Sequence, residues 1–99
     1  YTLKKEKYDL VVCTYFLERK LFPQMIEALK SNGIILLETF QHHKDNEREP
    51  SNPDFMLKEG ELKRYFGERC ELLKMHSWFD IDYKGTRTMK VSMVARKNI

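Results

Sequence analysis

Cysteine is scarce in this chain of 99 residues: Cys13 and Cys70 stand apart, with no Cys-x-x-Cys pair and no dense disulfide pattern. Two widely spaced thiols read as small apolar core residues in a reduced, cytoplasmic setting, and a zinc site would need more ligands at metal spacing. Glycine is sparse as well. Gly33, Gly60, Gly67 and Gly85 are scattered, and Gly-x-Gly occurs nowhere. No apolar run approaches the ~20 residues of a membrane span. The opening Tyr1-Thr2-Leu3-Lys4-Lys5-Glu6-Lys7 is too polar for a secretory signal. An excess of one charge is also lacking. Lys plus Arg number 18 against 15 Asp plus Glu, and the resulting +3 is too small and too dispersed to argue for nucleic acid.

What is present fits one small globular domain, with 41% apolar and 33% charged residues. A chain this short buries only ~60–65% of its unfolded surface. Tyr8-Asp9-Leu10-Val11-Val12-Cys13-Thr14-Tyr15-Phe16 is a nearly unbroken apolar run without alternation, the pattern of a strand covered on both faces. Leu21–Lys30 follows as an amphipathic helix, with Phe22, Met25, Ile26 and Leu29 on one stripe and Pro23 suited to its first position. Asn32-Gly33 supplies a left-handed stop. Ile34–Phe40 is a second buried strand, so the first forty residues make a βαβ unit with parallel strands and a right-handed crossover.

From Gln41 to about Leu57 the sequence is polar, a long loop of the kind used as a lid or binding loop. A short helix is expected from Glu59 to Phe66, closed by Gly67, with Leu62, Tyr65 and Phe66 as its apolar side. The last third alternates as a hairpin about the turn Asp82–Thr86. On its first strand Leu73, Met75, Ser77 and Phe79 are assigned to one face; Leu72, Lys74, His76 and Trp78 take the other. The fold class is therefore α/β: two buried parallel strands and a C-terminal antiparallel hairpin, with helices on the faces. One tension follows. The first strand reads as central, yet the chain supplies only one obvious neighbour for it, and an uncovered apolar edge is a liability. Either a larger domain or a second copy of the chain is expected at the Tyr8–Thr14 edge.

The ordered set Tyr8-Asp9-Leu10-Val11, then a helix ending Leu29-Lys30-Ser31-Asn32-Gly33, then Ile34-Ile35-Leu36-Leu37-Glu38-Thr39-Phe40, resembles the second half of a class I S-adenosylmethionine-dependent methyltransferase. Asn52-Pro53 through Phe55-Met56-Leu57-Lys58-Glu59-Gly60-Glu61-Leu62 resembles the corresponding stretch of small-molecule methyltransferases of the tellurite-resistance and thiopurine group, and Val91–Lys97 is similar to the strand that closes that fold. The resemblance implies a partial Rossmann-like sheet running from the family's fourth strand to its seventh. It further implies S-adenosylmethionine as cofactor and a small-molecule methyl acceptor. The family's glycine-rich cofactor loop and the acidic residue that takes the ribose hydroxyls have no counterpart here, so binding and activity are expected to need the N-terminal half.

Ligands of open α/β sheets sit beyond the carboxyl ends of the strands. The resemblance assigns Thr14, Tyr15 and Phe16 to the cofactor side, with strand-end packing as the alternative. Glu38 and Phe40 fall on the substrate side; a carboxylate at a buried strand end must be paired or face a pocket. His42-His43 with Asp45 and Glu47 matches no metal spacing and reads as solvated loop, with a substrate lid as the other reading. His76, Trp78 and Tyr83 read as hairpin packing. Lys84, Arg87, Lys90, Arg96 and Lys97 read as a solvated edge that resists strand addition, or as a phosphate-contacting patch.

Overall fold

The computed structural model describes residues 5–47 and 56–98. Pro50, Ser51, Asn52 and Pro53 of the polar loop, and the Asn52–Phe55 part of the family-like stretch, lie outside the described residues. The elements are β1 (Tyr8–Thr14), a single 3-10 turn (Arg19–Leu21), α1 (Phe22–Ala28), β2 (Leu29–Phe40), α2 (Glu61–Phe66), β3 (Cys70–Ile81) and β4 (Arg87–Lys97). They build one four-stranded sheet in the order β1-β2-β4-β3. β1 and β2 are parallel, and β4 runs antiparallel to both β2 and β3. This is the α/β arrangement expected from the sequence.

Both described helices pack on the same face of the sheet. Phe22, Met25 and Ile26 of α1 join Leu62 and Phe66 of α2 against Ile35, Leu37, Val91, Met93 and Ala95. The Phe22 ring lies 5.0 Å from that of Phe66 and edge-on to Tyr65 at 5.1 Å. Each such side chain contributes roughly 1.5–3 kcal/mol on full burial. On the opposite face Val12, Leu36 and Val94 form a row across three paired strands. No described helix covers that row, and β1 stands at the sheet border with Leu10 and Val12 52% and 56% exposed. The strand that reads as central from its sequence thus has an open edge and an open face.

Three local features depart from the sequence expectation. The helix ends at Ala28, and Leu29 takes extended geometry (φ −78°, ψ 141°) while remaining fully buried. The left-handed residue is Asn32 at φ 68°. Gly33 serves instead by close approach, since a Cβ there would stand 2.9 Å from both the Leu29 side chain and the Lys30 carbonyl. Residues 30–33 bulge out of β2, because Tyr8 pairs with Leu29 but Leu10 pairs with Ile34. In β3 a second register shift falls between Leu72 and Lys74. It places Leu72, not Leu73, on the helix side with Met75, Ser77 and Phe79, and leaves Leu73 exposed. Finally, α2 begins at Glu61 rather than Glu59, because Gly60 sits at φ 79° immediately before it.

The two helices are tied by one ion pair. Arg19 lies in the turn before α1, and both its Nε and Nη2 donate to the Glu61 carboxylate. Arg19 Nη2 also donates to the Met56 carbonyl at 3.1 Å, and the Lys58 backbone N–H donates to Glu61 Oε1 at 2.9 Å. Glu61 is buried, and the Arg19 guanidinium holds its carboxyl below the usual range, against the opposing effect of burial. A depressed folded-state pKa gives stability that is present above the unfolded value and lost as pH falls through the folded one. Glu61→Ala is therefore expected to cost about 2–3 kcal/mol near neutral pH. The deficit should shrink in acid, where the wild-type carboxyl protonates. Thermal melts followed by circular dichroism across that pH range check both the size and the sign.

Candidate functional site

Parallel pairing brings the carboxyl ends of β1 and β2 to the same end of the sheet, with Thr14 opposite Glu38. Just past β1 the chain turns at Tyr15, whose φ of 54° is uncommon for a bulky residue. The Tyr15 N–H donates to the Glu38 carbonyl at 2.7 Å, and its hydroxyl donates to the Glu38 carboxylate. The ring rests on Phe40, centroids 5.2 Å apart. Tyr15, Glu38 and Phe40, three residues singled out from the sequence, therefore meet on the face that carries no described helix. Thr14, paired with Glu38, and Phe16 border the cluster rather than join its contacts. They line a cleft of about 420 Å³ along β1, together with Val12, Leu21 and Met25, and Cys13 Sγ donates to the Phe16 carbonyl at 3.1 Å.

Two more residues join this cluster: Lys90, read from the sequence as part of a solvated basic edge or a phosphate-contacting patch, and Asp80, which the sequence reading did not single out. Antiparallel register sets Lys90 of β4 opposite Phe40. Its ammonium lies 5.1 Å from the Tyr15 ring centroid and 5.8 Å from that of Phe40, and it pairs with Asp80 of β3. Alternation along β4 places Lys90 on the polar face with Ser92 and Arg96, but only the β2–β4 register shows that this face meets Phe40. Other hairpin cations are engaged as well. Arg96 pairs with Glu71, Lys97 donates to the Leu29 carbonyl at 2.8 Å, and Arg87 stands 4.9 Å from the centroid of Phe79.

The electrostatics are coupled. The hydrogen bond to Asp80 is the main cause that raises Lys90, and the same bond lowers Asp80. Tyr15 is raised, first by desolvation and then by its hydrogen bond to Glu38, while Lys90 acts in the other direction. Near neutral pH the cluster therefore holds a protonated phenol, an ammonium and the Asp80 carboxylate. Two aromatic faces and the Glu38 carboxyl make it a favourable place for positive charge.

The start of the polar loop is docked on β4. Gln41 N–H donates to the Met89 carbonyl at 3.0 Å, and His42 N–H donates to the Leu57 carbonyl at 2.8 Å. Asn46 closes the arrangement: its Nδ2 donates to the Gln41 carbonyl at 3.0 Å and its Oδ1 accepts from Met89 N–H at 2.7 Å. Glu47 and Arg87 exchange two bonds of 2.9 Å. His42 and His43 thus sit on a strap along the hairpin.

The coupling gives opposite signs for two substitutions. In an ultraviolet titration of phenolate absorbance, with Tyr15→Phe subtracted, Glu38→Gln is expected to lower the Tyr15 midpoint and Lys90→Met to raise it. Tyr15 is raised in the folded state, so its contribution to stability is complete below the ordinary tyrosine pKa of about 10 and is lost as pH rises through the folded value. A matching loss of stability at high pH should vanish in Tyr15→Phe.

No family model matches the sequence, and no curated protein sequence matches it. Solved structures do match. A SAM-dependent methyltransferase from Methanosarcina mazei superposes with a TM-score of 0.77 at 14% identity, covering 100% of this chain and 63% of that one. TehB from Haemophilus influenzae gives 0.74 at 27% identity, over 96% of this chain and 37% of the other. The 1,6-didemethyltoxoflavin-N1-methyltransferase of Burkholderia thailandensis, solved with bound 1,6-didemethyltoxoflavin and S-adenosylhomocysteine, gives 0.63 at 15% identity, over 97% and 46%. This chain spans less than two thirds of each. With its parallel β1–β2 pair and antiparallel hairpin, the chain has the α/β fold of S-adenosylmethionine-dependent methyltransferases over part of their length.

Proposed function

We propose that this chain is the carboxyl-terminal part of a methyltransferase that moves a methyl group from S-adenosylmethionine to a small molecule in the cytoplasm. The observation that carries the proposal is the open border of β1. A strand with Leu10 and Val12 exposed ends in Thr14, Tyr15 and Phe16, at the end of the sheet where α/β folds bind ligands. By the resemblance, the family's first strand would pair at that border and bring the glycine-rich cofactor loop, for which this sequence has no Gly-x-Gly. The residues present fit the wall of such a cofactor's site, with Lys90 already supplying the positive charge over the rings. Tyr15 and Phe40 offer ring faces, Glu38 a carboxyl group, and Thr14 and Phe16 line the cleft beside them.

The cofactor, when bound, supplies an already activated methyl group on a sulfonium. What falls to this chain is positioning and exclusion of water. Tyr15, locked by its two bonds to Glu38, is assigned to the cofactor side with Thr14 and Phe16; Glu38 and Phe40 are assigned to the acceptor. Lys90, held by Asp80 over both rings, orients Tyr15 and Phe40.

Calorimetry with S-adenosylhomocysteine tests this. The chain by itself is expected to show no tight binding, whereas a form extended by the family's first three strands should bind. In that longer form Tyr15→Ala should weaken binding about tenfold. Tight binding by the 99-residue chain would refute the need for the other half, and no binding by the longer form would refute the methyltransferase reading.

The exposure of Leu10 and Val12 also favours a second reading, a non-enzymatic module that self-associates through β1. Sedimentation at micromolar concentration separates the two. A dimer broken by Val12→Lys supports self-association, and a monomer removes it.

A further inference from the structure

Two adjoining cavities lie on the helix side of the hairpin, across the sheet from the Tyr15–Lys90 cluster. The larger, about 750 Å³, is an apolar trough floored by Leu57, Leu62, Leu72, Met75, Met89 and Val91. Its size falls within the roughly 300–1,000 Å³ of small-molecule sites. The smaller, about 620 Å³, is lined by His42, His43, Lys44, Lys58 and Glu59. His43, Lys58 and Glu59 border both, so the trough opens into a mouth whose described lining holds Lys44, Lys58, His42, His43 and Glu59, with Asp45 beside His43.

The mouth is shaped by bonds that fix its polar groups. His43 Nδ1 accepts the Asp45 backbone N–H at 3.0 Å, which leaves the ring proton on Nε2 as a donor. The same ring stands edge-on to Phe79, centroids 4.8 Å apart. Along the trough wall, Ser77 Oγ donates to Gln41 Oε1 at 3.2 Å, so this buried amide oxygen is already satisfied. A ligand body therefore meets carbon and sulfur on the floor and polar donors at one end. Methionines such as Met75 and Met89 adapt to irregular apolar shapes.

We propose that this trough binds an apolar organic anion. Its hydrocarbon or aromatic body would lie on the methionine and leucine floor, and its acidic group at the mouth against Lys58 and His43 Nε2. Charge complementarity selects the anion: among the described residues Lys44, Lys58 and Lys63 outweigh Glu59 and Asp45, which lies 3.8 Å from His43 Nδ1, and charge-assisted hydrogen bonds to an acidic head are stronger than those to a neutral one. The site stands apart from the proposed methyl-transfer cluster and does not depend on it.

Calorimetry of the full chain with decanoate and with decanol is the test. Decanoate is expected to bind at least about tenfold more tightly than decanol. Lys58→Glu, at an exposed position, should erase that preference while leaving decanol unchanged, and Glu59→Gln should strengthen decanoate. Ser77→Trp, also exposed, should fill the trough and abolish both. Equal affinity for acid and alcohol, undiminished binding by a folded Ser77→Trp chain, or no heat with either probe would each overturn the proposal.

Discussion

The packing of Phe22, Ile26 and Phe66 onto one face of a four-stranded sheet is the constraint from which the rest of the molecule follows. Because α1 and α2 share that face, the sheet has one dry side and one side on which apolar and polar residues are only half covered. The dry side fixes the register of every strand, since a slip of one residue would turn Ile35, Leu37, Val91 and Met93 to the wrong face. Correct register then sets Glu38 beside Thr14 and Phe40 beside Lys90 on the other side. The candidate site is thus a consequence of burial on the face it does not occupy.

Much of this arrangement was legible in the chain itself. Continuous apolar runs mark β1 and β2, a helical stripe marks α1, and the alternation around Asp82–Thr86 marks the hairpin, because those signals are local. The bulges were not legible. Residues 30–33 leave β2 only because Leu29 is needed in the core, and Leu73 is extruded from β3 because Leu72 and Met75 must both face the helices. These are tertiary demands that override local periodicity. Lys90 was hidden for a related reason. In sequence it is one basic residue among several on a polar strand face, and nothing local reveals that strand pairing sets it beside Phe40 and within reach of Asp80. The trough beneath the hairpin was hidden too, since it needs α2, the loop strap and two strands together.

The chemistry of the Tyr15 cluster rests on mutual restraint. Asp80 holds the Lys90 ammonium, which faces both rings; the Glu38 carboxylate accepts from the Tyr15 hydroxyl and the Glu38 carbonyl from the Tyr15 backbone N–H. Each group limits the rotamers of the next, so all four strands are joined by side chains at the end of the sheet where β1 stops. Such pre-set geometry lowers the ordering cost of any ligand that meets it.

The open border of β1 sets a physical problem that its own residues answer only in part. Asp9 and Lys30 face each other across the β1–β2 bulge at 3.8 Å, too far and too exposed to contribute much. The bulge itself interrupts regular pairing at the start of β1, but Leu10 to Thr14 remain straight, apolar and in continuous register with Ile34 to Glu38. Natural edge strands are blunted by inward charges, proline or extra bulges, and Leu10–Thr14 has none of these. A segment so built is adapted to pairing rather than to solvent. The same segment leads directly into Tyr15, whose left-handed turn and bonds to Glu38 are already in place. A strand added at that border would meet the cleft at Thr14 and Phe16 next to these bonds.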